Sequence, residues 1–155
     1  MKNPQVLLVD GDERFRSSTR SLLEARGVAV CAVDGGKEAL REMEHRRFDV
    51  VLLDATIPDM DGAETMRLIK QRFPLVEVII LTGHDSVDAA AECLRAGAFD
   101  YIVKPCDISA LVIKVREAAL KKKDIEDQHQ KRRIERIISH PMAVFERDER
   151  EGESS

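Results

Sequence analysis

The sequence contains no tryptophan, a single tyrosine and only three cysteines. Cys31, Cys93 and Cys106 are odd in number and far apart, so they indicate neither a disulfide framework nor the ligand spacing of a metal site. We expect free thiols in a reducing compartment, the cytoplasm. No apolar run approaches the roughly 18 residues of a membrane span. The first residues lead straight into an apolar segment, unlike a signal peptide, so we expect no membrane association.

The chain also lacks an excess of basic residues. Its 25 basic and 29 acidic residues give a formal net charge of −4, which does not favour nucleic acid or an anionic membrane as a partner. Hydrophobic residues make up 43% of the 155 positions. That length and composition suit one domain with a real core and room for an appendage.

Five short apolar runs alternate with five stretches of helical period between residues 5 and 120. The runs are Val6–Val9, Val28–Val33, Val50–Leu53, Val76–Leu81 and Tyr101–Val103. Several are continuous, as is typical of strands covered on both faces. The helical stretches carry apolar stripes, the first of which contains Phe15, Leu22 and Leu23. This alternation predicts an α/β fold, with a parallel sheet, right-handed crossovers and helices on both faces.

Reactive side chains follow four of the predicted strands. Asp10 and Asp12 follow the first, Asp54 the third, Thr82 the fourth and Lys104 the fifth. Taken singly, each has an ordinary explanation as a helix cap, a turn residue or a surface charge. Together they fall on one sheet edge, where ligands of such folds bind. Carboxylates brought together there need a cation such as Mg²⁺, and the lysine and hydroxyl beside them suggest phosphoryl chemistry.

Five segments resemble the response-regulator receiver family in order and spacing. They are residues 6–10, 49–54, 57–62, 79–84 and 101–105, which read VLLVD, DVVLLD, IPDMDG, IILTGH and YIVKP. The resemblance implies a flavodoxin-like, doubly wound (βα)5 fold with strand order 2-1-3-4-5. It covers about residues 5–120, so we predict a receiver domain over 1–120 and a C-terminal extension over 121–155.

The resemblance also implies the chemistry of the predicted site. Asp54 would accept a phosphoryl group from a phosphohistidine on a sensor histidine kinase or phosphotransfer protein. Lys104 and the Thr82 hydroxyl would bind the phosphoryl oxygens, and the chain would act as a switch rather than as an enzyme with turnover. Mg²⁺ would be held by Asp10, Asp12, Asp54 and the backbone carbonyl of Thr56.

Three further residues belong to the pattern. Thr82 and Tyr101 resemble the family's coupled switch pair, in which the hydroxyl and the aromatic ring move together on phosphorylation. Pro105 would follow a cis peptide bond that aims Lys104 inward. His84 closes the fourth segment and is a further candidate.

Gly11 departs from the family, which usually places two adjacent acids after the first strand. Asp12 or Glu13 would have to reach the metal in its place, or metal affinity would be reduced. Two alternatives therefore stay open. One is a pseudo-receiver, a binding module without phosphorylation. The other is a haloacid dehalogenase-like phosphatase that uses Asp10 as its nucleophile, with Asp12 as general acid/base.

The residue composition changes after residue 120. Residues 121–136 carry seven basic and four acidic side chains, but no interleaved aromatics, so we expect no direct nucleic-acid binding. We predict that the fifth helix continues to Ser139, is stopped by Pro141 and is followed by a frayed acidic terminus. An apolar patch combines Ile134, Ile137 and Ile138 with Met142, Val144 and Phe145. A homodimer, formed through this extension or the fourth- and fifth-helix face, and an unknown downstream protein are the expected partners.

Overall fold

A computed structural model describes residues 3–139 and confirms the predicted alternation of strands and helices. The strands are β1 (Gln5–Val9), β2 (Ala29–Val33), β3 (Val50–Asp54), β4 (Glu77–Thr82) and β5 (Asp100–Val103). The helices are α1 (Glu13–Glu24), α2 (Gly36–His45), α3 (Gly62–Arg72), α4 (Val87–Arg95) and α5 (Ile108–Ser139). A short 3-10 helix, His84–Ser86, precedes α4 and was not predicted.

The five strands form one parallel sheet in the order β2-β1-β3-β4-β5. This is the flavodoxin-like, doubly wound order that the sequence resemblance implied. From β1 the chain runs to β2 on one side and then returns past β1 to β3 on the other side, so the switch point lies between β1 and β3. The loops that follow β1 and β3 therefore open the crevice in which such folds bind ligands.

Each side of the sheet is covered by its own apolar cluster. Alternate strand residues such as Leu7, Leu53 and Ile80 pack with α2, α3 and α4. Their chain neighbours, such as Leu8 and Leu52, pack with α1 and α5 on the opposite side. Because both faces are buried, the strands need apolar residues at consecutive positions, which explains the continuous runs in the sequence.

Several helix ends carry residues that suit their positions. Asp12 caps α1, since its Oδ1 accepts hydrogen bonds from the N–H groups of Arg14 at 3.0 Å and Phe15 at 3.3 Å. Gly27 and Gly97 have positive φ angles of 82° and 113° after α1 and α4, a conformation that favours glycine. Asp107 immediately precedes α5, and its Oδ1 accepts a hydrogen bond from the Ser109 N–H.

Two acids at the amino ends of β3 and β4 hold the middle of α5. Glu77 is buried, and its carboxylate lies 3.7 Å from Lys70 Nζ and 3.6 Å from Lys121 Nζ. Asp49 accepts a hydrogen bond from the Gln5 N–H and lies 3.4 Å from Lys122 Nζ. These pairs fix residues 121 and 122 against the sheet edge opposite to the predicted site.

The described part of α5 ends at Ser139. The chain divides into two compact units after Lys122, and the domain boundary after residue 120 stays a prediction. The predicted stop at Pro141, the acidic terminus and the apolar residues Met142, Val144 and Phe145 lie outside the described residues. Among residues 3–139, no helix has the length and hydropathy needed to cross a bilayer.

Candidate functional site

The strand register brings the predicted site residues to one edge of the sheet. Val9 of β1 lies beside Leu53 of β3, so the residues that follow them, Asp10 and Asp54, are neighbours. On β4, Thr82 is one residue beyond the partner of Asp54. The N–H of Lys104 donates to the Thr82 carbonyl at 2.7 Å, which places Lys104 at the same level.

Lys104 joins the two acids across this edge. Its Nζ lies 2.5 Å from Asp10 Oδ2 and 3.6 Å from Asp54 Oδ2. Asp10 is 1% exposed, and its other oxygen accepts a hydrogen bond from the Asp12 N–H at 2.8 Å. A buried carboxylate needs such partners, so the β1–α1 loop and Lys104 together stabilise the charge of Asp10.

Asp54 is paired through different oxygens, since its hydrogen bonds go to Oδ1 and its Oδ2 lies toward Lys104. Its Oδ1 accepts hydrogen bonds from Thr56, from the N–H at 3.1 Å and from the hydroxyl at 3.3 Å. Burial raises the pKa of Asp54 above its usual value. The negative charge of Asp10 acts in the same direction, whereas the Thr56 N–H and Lys104 oppose it. The result is a desolvated carboxylate with one oxygen turned toward a lysine, an arrangement that suits a nucleophile.

Thr82 and Tyr101 lie on adjacent strands but differ in exposure. Thr82 is fully buried, and its hydroxyl donates to the Gly83 carbonyl at 3.1 Å. Tyr101, the β5 residue in register with Ile80, is 41% exposed. The Tyr101 ring therefore lies partly in solvent, whereas the Thr82 hydroxyl is held by its hydrogen bond to Gly83. His84 begins the 3-10 helix after Gly83 and is exposed.

The Lys104–Pro105 peptide bond is cis, as the resemblance implied. Lys104 itself is half-buried, with 21% of its side chain exposed. Cys106 follows the proline, and all three cysteines of the chain are free thiols. Burial raises the pKa of the Cys106 thiol, so it carries little thiolate character at neutral pH.

The β1–α1 loop shows how the chain accommodates Gly11. A Cβ atom at this position would lie 3.2 Å from Pro58 Cδ, which belongs to the β3–α3 loop. The two loops of the crevice therefore approach closely above Asp10 and Asp54. The next acid, Asp12, uses one oxygen to cap α1, and Glu13 is exposed in the first helical turn. The metal role predicted for Asp12 stays a prediction.

The oxygen ligands present fit a magnesium ion of the kind that keeps most of its waters. Among residues 3–139, no group of three or more Asp, Glu, His or Cys side chains is arranged to enclose a metal. Mg²⁺ is usually bound by one or two carboxylates together with waters and phosphate oxygens. Asp10 and Asp54 supply two carboxylates, and the backbone carbonyl of Thr56 lies two residues after Asp54 in the loop that follows β3.

Sequence reasoning missed two side chains that touch this edge. The ring of Phe15 lies with its centroid 4.2 Å from Lys104 Nζ, although periodicity placed Phe15 only in an apolar stripe. Arg16 donates from Nη1 to the Asp10 carbonyl at 2.7 Å. Both residues belong to the first turn of α1. The signal in the sequence was that this turn follows closely after Asp10, the acid next to the end of β1.

Asp59 was also missed. Its two oxygens accept hydrogen bonds from the N–H groups of Gly36 at 2.9 Å and Lys37 at 3.1 Å, the first residues of α2. The N-cap residue of α2, Gly35, has no side chain that could do this. The signal was a helix start with two glycines and no Ser, Thr, Asn or Asp at the N-cap.

Comparison with known proteins agrees with this geometry. The profile of the response regulator receiver domain matches residues 6–116. The transcriptional regulatory protein ZraR of Klebsiella oxytoca is 38% identical over 113 residues, which are 73% of this chain and 26% of that protein. The DNA-binding transcriptional regulator NtrC of Salmonella typhimurium is 36% identical over 135 residues, 87% of this chain and 28% of that protein. The chain thus spans about a quarter of the length of these curated relatives.

Solved structures lead to the same family. A response regulator receiver domain from Clostridium thermocellum is 32% identical, with a TM-score of 0.75 over 79% of this chain and 98% of that one. A CheY-like receiver domain protein from Methanospirillum hungatei JF-1 is 30% identical, with a TM-score of 0.74 over the same shares. With a family match across most of its length and the acid, hydroxyl and lysine gathered at one sheet edge, this chain belongs to the response regulator receiver domain family.

Proposed function

We propose that this chain is a phosphorylation-activated switch whose acceptor is Asp54. An oxygen of Asp54 attacks the phosphorus of a phosphohistidine on a sensor histidine kinase or phosphotransfer protein. A bond forms between that oxygen and phosphorus, and the bond from phosphorus to the imidazole nitrogen breaks. The electron pair leaves with the imidazole, and Asp54 becomes an acyl phosphate.

The position of Lys104 between Asp10 and Asp54 carries this proposal. An incoming phosphoryl group brings negative charge to a carboxylate that is already desolvated, so a nearby cation is required. Lys104 Nζ, 3.6 Å from Asp54 Oδ2, can turn its N–H donors toward the new phosphoryl oxygens. The buried Thr82 hydroxyl, which donates to Gly83 in this arrangement, supplies a second donor from the adjacent strand.

We further propose that Asp10, Asp12, Asp54 and the Thr56 carbonyl hold Mg²⁺, with Asp12 acting from the cap of α1. The ion, when bound, neutralises charge on the phosphoryl oxygens. Asp10, which would help to hold the ion, would give up its contact with Lys104, and the ammonium would then be available to the phosphoryl group. Asp54 keeps its hydrogen bonds from Thr56, which hold the second oxygen ready for attack.

The output of the switch follows from Thr82 and Tyr101. When the hydroxyl moves from the Gly83 carbonyl to a phosphoryl oxygen, the space beside it on the β4 end becomes available to the Tyr101 ring. The surface of α4, β5 and the adjoining part of α5 then changes, which is a shift between two populations rather than a new fold. An unidentified downstream protein would read this surface.

The direct test is intact-mass measurement after incubation with acetyl phosphate, with and without Mg²⁺. The wild-type chain should gain one phosphoryl group only with Mg²⁺, and Asp54→Asn should gain none. Asp34→Asn, which alters an exposed acid after β2, is the matched control and should label like the wild type. Label that persists in Asp54→Asn, or that maps to Asp10, would overturn the assignment.

Gly11 favours a second candidate, a receiver-like binding module without phosphorylation. Gly11 leaves no carboxylate at the position where the family usually has a direct metal ligand. In this structure the Lys104 ammonium is paired with Asp10. Wild-type protein that takes no label at saturating Mg²⁺ would support this candidate. Family membership leaves the haloacid dehalogenase alternative without support, and turnover of a generic phosphomonoester would be needed to revive it.

A homodimer is the partner that we propose for the exposed apolar side chains. Val87, Tyr101 and Ile113 of the receiver unit are between 41% and 58% exposed. In the segment after Lys122, Ile134, Ile137 and Ile138 are 49%, 44% and 76% exposed. Either set provides apolar area that a two-fold pair would bury.

A further inference from the structure

The Lys104 ammonium has three close neighbours in the described part of the chain, and one of them is an aromatic ring. Asp10 and Asp54 supply two carboxylates, and the centroid of the Phe15 ring lies 4.2 Å from Nζ. The two other cation–ring pairs, Arg46 with Phe48 and Lys121 with Phe99, are both separated by 5.4 Å. The Phe15 pair is the shortest of these, and it is the one at the site.

The start of α1 fixes the position of this ring. The Phe15 N–H donates to the capping carboxylate of Asp12. This backbone hydrogen bond places Phe15 in the first turn of α1 independently of its side chain. Its neighbour Arg16 bonds to the Asp10 carbonyl at 2.7 Å and ties that turn to the end of β1. The half-buried ring packs against the apolar cluster beneath α1 and α5, which leaves the part near Lys104 facing the site.

A ring holds a cation in a different way from a carboxylate. The attraction comes from the negative face of the π system, and it neither takes up the ammonium N–H donors strongly nor adds negative charge to the cleft. A second acid at position 11 would add charge that opposes both Asp54 ionisation and an incoming phosphoryl group. With Gly11 at that position, the ring can restrain Lys104 while the ammonium turns from Asp10 toward new oxygens.

We propose that Phe15 is a positioning residue that holds the Lys104 ammonium over the acceptor edge for phosphoryl transfer to Asp54. This inference rests on the function proposed above. Phe15 touches no reacting atom and acts only through Lys104.

The rate test compares three variants of the full chain with acetyl phosphate and saturating Mg²⁺. Phe15→Leu keeps an apolar side chain without a ring face and should slow labelling of Asp54 about three- to tenfold. Phe15→Tyr keeps the ring and should label within about twofold of the wild type. Phe99→Leu removes a ring beside Lys121 at the opposite sheet edge and should leave the rate unchanged. Urea midpoints separate a loss of rate from a loss of fold.

A second measurement does not need phosphorylation. In NMR spectra of the wild-type chain, ring current from Phe15 should shift the ε-methylene protons of Lys104 upfield of the other lysines, and Phe15→Leu should abolish that shift. A wild-type spectrum without the shift overturns the proposal, as does a Phe15→Leu variant that labels at the wild-type rate. Wild-type protein that shows the shift but takes no label overturns the proposed function and, with it, the role of Phe15 in transfer.

Discussion

At the scale of single residues, Asp54 holds its charge in an unfavourable place. It is 9% exposed, has one lysine at 3.6 Å and has a second acid as a neighbour. Burial raises the pKa of Asp54 above its usual 3.8, with help from Asp10. Because the folded-state pKa is the higher one, this residue stabilises the fold below the unfolded-state pKa, and that contribution is lost as pH rises through the folded-state value.

Asp54→Asn should therefore raise stability at neutral pH in the absence of Mg²⁺. We expect a gain of about 0.5–1 kcal/mol in the free energy of unfolding, at the low end of the range for single stabilising substitutions. Urea denaturation at pH 7 and at pH 4 measures it, and the gain should shrink at the lower pH. The exposed acid in Asp34→Asn provides the control. A variant that is less stable than the wild type at pH 7 would contradict this account.

Position 11 separates steric from electrostatic effects. Gly11→Asp should tighten Mg²⁺ binding, since it adds a carboxylate beside Asp10. It should also lower stability by roughly 1 kcal/mol, because the new Cβ lies 3.2 Å from Pro58. Gly11→Ala introduces the same Cβ without the charge, so it should show the loss of stability and no gain in affinity. Calorimetric titration with Mg²⁺ and urea midpoints measure both. Equal affinity in Gly11→Asp and wild type would indicate that Asp12 already fills the role.

At the scale of elements, α2 is capped from another loop. Asp59 accepts from the N–H groups of Gly36 and Lys37, and a Cβ on Gly35 would lie 2.6 Å from an Asp59 oxygen. Although burial opposes it, hydrogen bonding from those two N–H groups lowers the pKa of Asp59. These hydrogen bonds thus tie the loop that carries Thr56 and Pro58 to α2. They restrict the conformations that this loop can adopt beside the site.

Asp59→Ala should cost about 0.5–2 kcal/mol of stability, the range for a lost N-cap. Because its folded-state pKa is lowered, the contribution is present above the unfolded-state pKa and is lost as pH falls through the folded-state value. Urea midpoints for the variant and the wild type should therefore converge in acid. Asp61→Ala is the matched control, since Asp61 sits at the N-cap of α3 without a side-chain capping bond. Equal losses in the two variants would argue against a cap by Asp59.

Helix α5 runs from the receiver unit into the extension, and Lys121 and Lys122 are the last residues of the first compact unit. Truncation after Lys122 should leave the free energy of unfolding nearly unchanged, because both ion pairs with Asp49 and Glu77 remain. Truncation after Leu120 should lower it by about 1–2 kcal/mol, since the buried Glu77 loses one of its two lysines. Urea denaturation of the two proteins measures the difference. Equal free energies of unfolding for the two truncated proteins would show that these ion pairs stabilise the fold no more than ordinary exposed ion pairs do.

At the scale of the whole molecule, the extension should govern association. Light scattering of the full chain should report a dimer, and the chain truncated after Lys122 should have a lower mass while Asp54 still takes label. Ile137→Lys, placed in an exposed apolar group, should weaken the dimer, and Gln130→Lys, on the polar part of the same helix, should not. A full chain that stays monomeric at high concentration, phosphorylated or not, would assign the isoleucines to another partner.

Much of this architecture was accessible from the pattern alone. Continuous apolar runs predicted buried parallel strands, because a strand covered on both faces cannot alternate. Asp54, Thr82 and Lys104 could be grouped by their positions after predicted strands, since the carboxyl ends of parallel strands share one edge. The strand order came from the family resemblance and not from the periodicity.

What the sequence determined by itself was local and periodic: the five strands, the five α-helices and the set of polar groups at the strand ends. The tertiary structure alone decided which of those groups touch. Lys104 is 94 residues from Asp10 in the chain, Asp59 is 23 residues from Gly36, and Lys121 meets Glu77 only because α5 crosses the sheet edge. Phe15 read as one more apolar residue, since periodicity reports that a side chain is buried but not which cation its ring faces. Contacts between distant residues depend on strand register, sheet twist and the approach of one loop to another. These are set when the whole chain folds, so the local pattern of residues does not show them.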